Sequence, residues 1–262
     1  MSDSAADGRV SLTIEGTTAH ITFDRPAARN AMTWAMYEGL KQACASIASN
    51  DAVRVVVLRG AGGKAFIAGT DISEFQSFET GADGIDYERR IGEYVGAVAA
   101  LTVPTIAVVE GWAVGGGMSI ASVCDFRLAT PGARFGVPIA RTLGNCLSQA
   151  NLRVLVAMIG VPMVKRMLLL AELVPAEELT ASGYVLKTVA AQELDDAVTA
   201  LCEQLSGHAP MTMAASKAVV GRIVSNYEDD DQAIIEQVYG SADFREGVTA
   251  FVSRRAPLWT GR

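Results

Sequence analysis

Histidine is nearly absent from this sequence: His20 and His208 are the two in 262 residues. Nucleophile schemes that need an imidazole base, Ser–His or Cys–His, therefore have little material. His20 falls in an N-terminal hairpin and His208 in a late loop. Cysteine is scarce too. Cys44, Cys124, Cys146 and Cys202 are scattered without a CxxC pair, so neither a zinc site nor a disulfide framework is expected, no metal ligand is assigned, and a reducing compartment suits the chain. No apolar run approaches the ~18–20 residues of a membrane span. The best candidates, 154–161 and 167–173, are short and interrupted by Pro162, Lys165 and Arg166. The opening MSDSAADGRV has no apolar core of a signal peptide, so the expectation is a cytoplasmic protein with no membrane partner. Positive charge is in deficit: 22 Lys plus Arg against 29 Asp plus Glu give a net charge of −7. Phosphate backbones repel such a surface, which disfavours nucleic acid as a partner. An anionic small molecule would need a locally basic patch.

What is present is a core. Half of the residues are hydrophobic and 19% are charged, the profile of a packed globular chain. The length suits one large domain, or a domain with a small appendage. Alternating residues at 10–15 and 19–23 around Gly16-Thr17-Thr18 predict a β-hairpin. Thr33 is placed to cap a helix reaching about Ser49. The β-branched runs at 53–58 and 103–109 predict strands buried on both faces. A short strand is expected at 65–67, a short helix at 71–78, a loop at 81–84 and an amphipathic helix at 87–101. Short strands are expected at 126–129, 134–137 and 184–189. Helices are expected at 118–124, 148–159, 162–172, 176–182, 191–206, 210–224, 230–240 and 243–255. The sum is an α/β core over 1–190 followed by a helical region over 191–262.

Two glycine-bearing segments carry chemistry. One is Lys64-Ala65-Phe66-Ile67-Ala68-Gly69-Thr70-Asp71-Ile72-Ser73-Glu74; the other is Glu110-Gly111-Trp112-Ala113-Val114-Gly115-Gly116-Gly117-Met118-Ser119. Each leaves a buried strand, crosses glycine and enters a helix. A helix start presents unpaired N–H groups and partial positive charge. Two converging donors can hold the oxygen of a thioester as it becomes an enolate. A plain strand–helix junction accounts for Gly115–Gly117 equally well on pattern alone. Asp71 and Glu74 also read as a capping box, Asp71 capping and Glu74 reaching back. The triple glycine is neither GxGxxG nor a P-loop, so a dinucleotide or nucleotide phosphate site is poorly supported.

Five segments, in order, resemble the enoyl-CoA hydratase/isomerase (crotonase) superfamily. They are Arg25-Pro26-Ala27-Ala28-Arg29-Asn30-Ala31-Met32, the stretch 65–74, the stretch 111–125, Ala133-Arg134-Phe135-Gly136-Val137-Pro138, and Glu246-Gly247-Val248-Thr249-Ala250-Phe251 with Arg255 and Pro257. The resemblance covers nearly all of the chain. It implies a crotonase-type core of repeated ββα units with a helical C-terminal region, assembled as a trimer or a dimer of trimers. It implies an oxyanion hole from the N–H groups of Thr70 and Gly116, and a coenzyme A thioester as substrate with no permanently bound cofactor. Coenzyme A would lie near Ala28, Phe66 and Ala68, with Asp71 and Ile72 alongside and Arg25, Arg29 and Lys64 as basic helpers. Arg245, Arg254, Arg255 and Arg262 of the tail are further candidates for its 3′-phosphate, or simply solvated charges.

The sequence departs from the hydratases where their two glutamates belong. Ser119 stands at the first position and Ile139 at the second. Neither takes a proton from water near neutral pH. General acid–base catalysis contributes typically ~10²–10⁴-fold per group, so losing both costs roughly 10⁴-fold or more. An ordinary fast hydratase is therefore not expected. Ser119 and the segment 139–146 become the candidates for replacement chemistry. Within it, Arg141 suits a carboxylate on the acyl group, and Asn145 suits a bound water; Thr142 and Cys146 are also at hand. The bland alternatives are that Arg141 pairs with Asp125 and that Asn145 caps the helix from Ser148. Two functional readings follow: an acyl-CoA enzyme of lyase or isomerase type with non-standard acid–base groups, and a non-catalytic acyl-CoA binder on the same fold. A third, an RNA-binding relative, is disfavoured by the negative charge.

Overall fold

The computed structural model describes residues 8–225 and 232–259. Strands β1 (Arg9–Glu15) and β2 (Thr18–Asp24) form the hairpin, and helix α1 (Trp34–Ala48) follows, with the Thr33 side chain accepting from the amide of Met36. Then come β3 (Val55–Gly60), α2 (Gly81–Ala99), β4 (Thr105–Val109), β5 (Trp112–Val114), α3 (Gly116–Val123), β6 (Phe126–Ala129) and β7 (Arg134–Gly136). Next are α4 (Ile139–Thr142), α5 (Gln149–Leu169), β8 (Val174–Pro175), α6 (Ala176–Ala181) and β9 (Lys187–Thr188). The chain closes with α7 (Leu194–Ser206), α8 (Pro210–Ser225), α9 (Gln232–Tyr239) and α10 (Ala242–Val252).

One sheet has the order β1-β2-β3-β4-β6-β9, parallel from β2 onward; a smaller sheet has the order β5-β7-β8. Strands β3 and β4 sit mid-sheet and are covered on both faces, which is why β-branched residues dominate them without polar alternation. One face meets the main core, where Val56 and Leu58 join Leu40 of α1 and Met118 of α3. The other face carries Val55, Val57, Ile106 and Val108 under Leu194, Val198 and Leu205 of α7. Each such aliphatic side chain contributes about 1.5–3 kcal/mol on burial. Helices α9 and α10 return to the first face, with Tyr239, Phe244 and Val248 in the main core. The helical C-terminal region thus covers both sides of the sheet. No helix among the described residues is long and apolar enough to cross a membrane.

Several sequence expectations are corrected. The stretch 81–84, read as a loop, is the first turn of α2. The carboxylate of Asp83 accepts from the backbone and hydroxyl of Thr80, fixing that start. The two glycines there serve close packing instead of a turn: a Cβ on Gly81 would lie 2.0 Å from the carbonyl oxygen of Glu236, and one on Gly84 would lie 2.0 Å from Cγ of Tyr239. Residues 65–67 form no strand, only a bridge from Ile67 to Ala113. The strand expected over 184–189 shrinks to β9, and 139–142 is helical. The helices expected at 148–159 and 162–172 are joined as α5 across a break at Gly160. Of the helix expected at 230–240, residues 230 and 231 lie outside the described residues.

Candidate functional site

The site is built by two loops that leave neighbouring strands side by side. The amide of Met32 donates to the carbonyl of Gly69, and the amide of Asp71 donates to the carbonyl of Met32. That parallel bridge engages the residues flanking Thr70, so the N–H of Thr70 points away from Met32. On the other side, the amide of Val114 donates to Ile67 and that of Gly115 donates to Gly136. Gly115 takes φ 55° and ψ −120°, a conformation glycine adopts at no steric penalty. Gly116 then opens α3, where the first amides have no partner within the helix. Neither the N–H of Thr70 nor that of Gly116 has an acceptor among the described residues. The loops touch: a Cβ on Gly115 would lie 3.6 Å from Cα of Gly69, and one on Gly116 would lie 3.7 Å from Oγ1 of Thr70.

Thr70 is held in place by its side chain. Its hydroxyl lies 2.8 Å from the phenol of Tyr37 and 2.7 Å from that of Tyr87. Burial pushes both phenols above their ordinary range, so they stay neutral and act as hydrogen-bonding posts.

Both amides border a cavity of about 440 Å³. Its walls are largely apolar, with Phe75, Ile91, Ile139, Leu143 and Phe251 among them. Among the polar groups that interrupt that lining, four stand out. Ser119 is buried, and its hydroxyl has no hydrogen-bond partner. Asn145 donates from Nδ2 to the phenol of Tyr239 at 3.1 Å, while its Oδ1 is buried without a partner. Asp71 accepts from the amide and hydroxyl of Ser73 and from the guanidinium of Arg25. Burial alone would raise its pKa, but these donors outweigh it and hold the carboxyl below its usual range. Glu88, on α2, is the fourth. It is 3% exposed, and one oxygen accepts from the amide of Ser148 at 2.7 Å while the other accepts from Tyr239 at 3.0 Å. Here burial prevails over the hydrogen bonds from Ser148 and Tyr239, and the carboxyl is pushed above its usual range.

Eleven of the residues singled out from the sequence border this cavity: Thr70, Gly116, Ser119, Ile139, Thr142, Asn145, Ala28, Arg29, Ala68, Asp71 and Ile72. Four do not. Phe66 is fully buried and packs edge-on against Phe23. Lys64 is exposed beyond the loop. Arg25 is turned to Asp71 and to the carbonyl of Ala31. Arg141 is exposed on α4, whose Ile139 and Thr142 face the cavity instead. The bland alternatives shift as well. Asp125 pairs with Lys217, not Arg141, and Ser148, not Asn145, caps α5 by accepting from the amide of Asn151. Glu74 does not reach back to Asp71; it accepts from the amide of Trp34 at the start of α1. In the tail, Arg255 pairs with Glu246 and Arg245 reaches the carbonyl of Glu79; Arg262 lies outside the described residues. Glu88 was not singled out. Its signal was a carboxylate on the helix face shared with Tyr87, Ile91 and Val95, where an apolar residue is the rule.

Two amides from glycine-bearing loops thus border one apolar chamber, on a fold that belongs to a known class of protein. The sequence profile of the enoyl-CoA hydratase/isomerase family matches residues 13–262, and the chain belongs to that family. It is 31% identical to the short-chain-enoyl-CoA hydratase of Clostridium acetobutylicum, over 92% of this chain and 93% of the relative. It is 31% identical to the (E)-benzylidenesuccinyl-CoA hydratase of Thauera aromatica, over 96% and 99%. Among solved structures, an enoyl-CoA hydratase/carnithine racemase from Magnetospirillum magneticum aligns with a TM-score of 0.79 and 30% identity, covering 97% of this chain and 96% of that one.

Proposed function

We propose that this protein is an acyl-coenzyme A enzyme that binds a thioester in the 440 Å³ cavity and stabilises its enolate through the amides of Thr70 and Gly116. The observation that carries this is the pair of amides without acceptors, both bordering one chamber. Donors of this kind, fixed before the reaction, are worth ~10²–10³ in rate each. Ala28, Ala68 and the exposed Arg29, whose guanidinium lies 5.8 Å from the ring centroid of Trp112, also line the cavity and are available to the coenzyme. No permanent cofactor is invoked. Ordinary hydration of an unsubstituted enoyl thioester is not the assigned reaction: Ser119 and Ile139 line the cavity, and by the family resemblance these are the positions of the two hydratase glutamates. The chemistry is of lyase or isomerase type, with a proton moved beside the carbonyl by a group at another position.

Turnover of crotonyl-CoA is the first test. A rate at least ~10⁴-fold below an efficient hydratase is expected; a fast rate refutes the carboxylate argument. A panel of thioesters with hydroxyl, carboxylate or aromatic tails then locates the substrate. Gly116→Pro, which deletes one donor, abolishes turnover of whichever member reacts, and unchanged turnover removes Gly116 from the mechanism. Calorimetric binding of panel members with no turnover of any would leave a non-catalytic acyl-CoA binder.

A further inference from the structure

Enolate chemistry needs a group that takes a proton from carbon, and the two positions where the resemblance puts the hydratase glutamates hold Ser119 and Ile139. Five observations converge on one substitute. Glu88 borders the same cavity as Thr70 and Gly116. The other carboxylate there, Asp71, is committed to Arg25 and Ser73. The groups on Glu88, the amide and side chain of Ser148, the side chain of Asn151 and the phenol of Tyr239, fix the direction of its oxygens, and a hydroxyl such as that of Tyr239 can turn from donor to acceptor when the carboxyl takes a proton. Tyr239 also receives Nδ2 of Asn145, which ties Glu88 to a second cavity residue. Finally, the Ser119 hydroxyl and Asn145 Oδ1 are buried beside the cavity without partners. Orphaned polar atoms of this kind cost about 1–3 kcal/mol each unless a ligand or water meets them.

We propose that Glu88 is the catalytic base of this cavity, removing and returning a proton at Cα of the bound thioester, with Tyr239 and Asn145 as its positioning residues. The inference rests on the enolate reading above. In the forward step the Cα–H bond breaks, its proton goes to the Glu88 carboxylate, and its electron pair forms the enolate double bond. The carbonyl π pair moves onto oxygen, where the amides of Thr70 and Gly116 receive it. Return of the proton to Cα regenerates the thioester, and no oxidant or co-reactant is consumed. A base whose pKa lies nearer the working pH transfers protons more effectively than an ordinary carboxylate, and burial moves Glu88 in that direction.

The experiment is deuterium incorporation at Cα of butyryl-CoA in heavy water, followed by mass spectrometry alongside calorimetric binding. Wild-type protein incorporates deuterium, at a rate that rises with pH and levels off as Glu88 ionises. Glu88→Gln lowers the rate by ~10²–10⁴-fold, loses the rising limb and binds butyryl-CoA within a few-fold of wild type. Glu88→Asp, which keeps the charge if the glutamine variant fails to fold, exchanges slowly with the limb retained. A Glu88→Gln protein that exchanges within threefold of wild type, or an aspartate variant without the limb, overturns the assignment. If Gly116→Pro alone abolishes exchange, the oxyanion reading stands and Glu88 is rejected. Wild-type protein that shows no exchange rejects both.

Discussion

Removal of one oxygen atom, in Tyr239→Phe, separates the energetic roles around Glu88. The phenol donates to Glu88 at 3.0 Å, accepts from Asn145 at 3.1 Å and lies 3.3 Å from the carbonyl of Cys146. The variant keeps the ring, which packs 4.8 Å from that of Phe244, so the loss is polar. A buried carboxylate loses a donor and a buried amide loses an acceptor. Hydrogen bonds to charged groups contribute about 1.5–3 kcal/mol and an orphaned partner costs a similar amount, so a net loss of about 2–3 kcal/mol is expected. For a chain of this size that lowers Tm by roughly 4–12 °C. The pH dependence is the sharper signature. Glu88 has a folded pKa above its unfolded one, so stability is fullest below the ordinary carboxylate range and falls as pH rises toward the folded value. The Tyr239 bond is among the interactions that lower that folded value. Without it the value climbs further and the fall extends to higher pH. The Tm deficit of Tyr239→Phe, measured by circular dichroism from about pH 4.5 to pH 8.5, therefore grows with pH. A deficit of equal size at every pH would show that Glu88 does not carry charge in the folded protein and would refute the reasoning.

Two further outcomes are expected. Arg25→Ala strips a partly buried partner from Asp71 and lowers stability by about 1–2 kcal/mol in urea titrations at pH 7. The folded pKa of Asp71 is depressed, so that contribution is lost as pH falls through it, and the deficit shrinks under acid; a deficit that persists there argues against an ionic role. Helix α8 leaves Met211, Val220 and Ile223 exposed at 85%, 60% and 72%, an apolar display that fits burial against other copies. Light scattering is expected to show a trimer or hexamer, and a monomer at micromolar concentration would remove the assembly implied by the family.

Much of the core was legible because its signals are local. The run 53–58 and the Thr33 cap mapped onto β3 and α1 with shifts of at most two residues. The triple-glycine loop runs from strand β5 into helix α3 as its pattern predicts, whereas the first loop keeps only a bridge at Ile67 and a single 3-10 turn at Ile72–Phe75 in place of the strand and helix expected there. What escaped was set at long range. Gly81 and Gly84 looked like turn residues, yet they are small because α9 presses against them from about 150 residues away. Once α2 is seen to begin there, Glu88 falls one turn beyond Gly84, opposite the same Tyr239. Glu74 followed the local capping pattern but bonds to the start of a different helix. Arg141 shares a short helix with two cavity residues and points outward, an orientation that spacing alone did not reveal in so short an element.

The contact between Gly84 and Tyr239 also orders events during synthesis. A nascent chain that has emerged through the triple-glycine loop already contains the Thr70 and Gly116 amides that border the cavity. It lacks the helices that seat Tyr239 beside Glu88 and bring Phe251 to the wall. The cavity wall is complete only once Phe251 is in place, so the proposed thioester, bound there, would report that folding has reached the C-terminal helices.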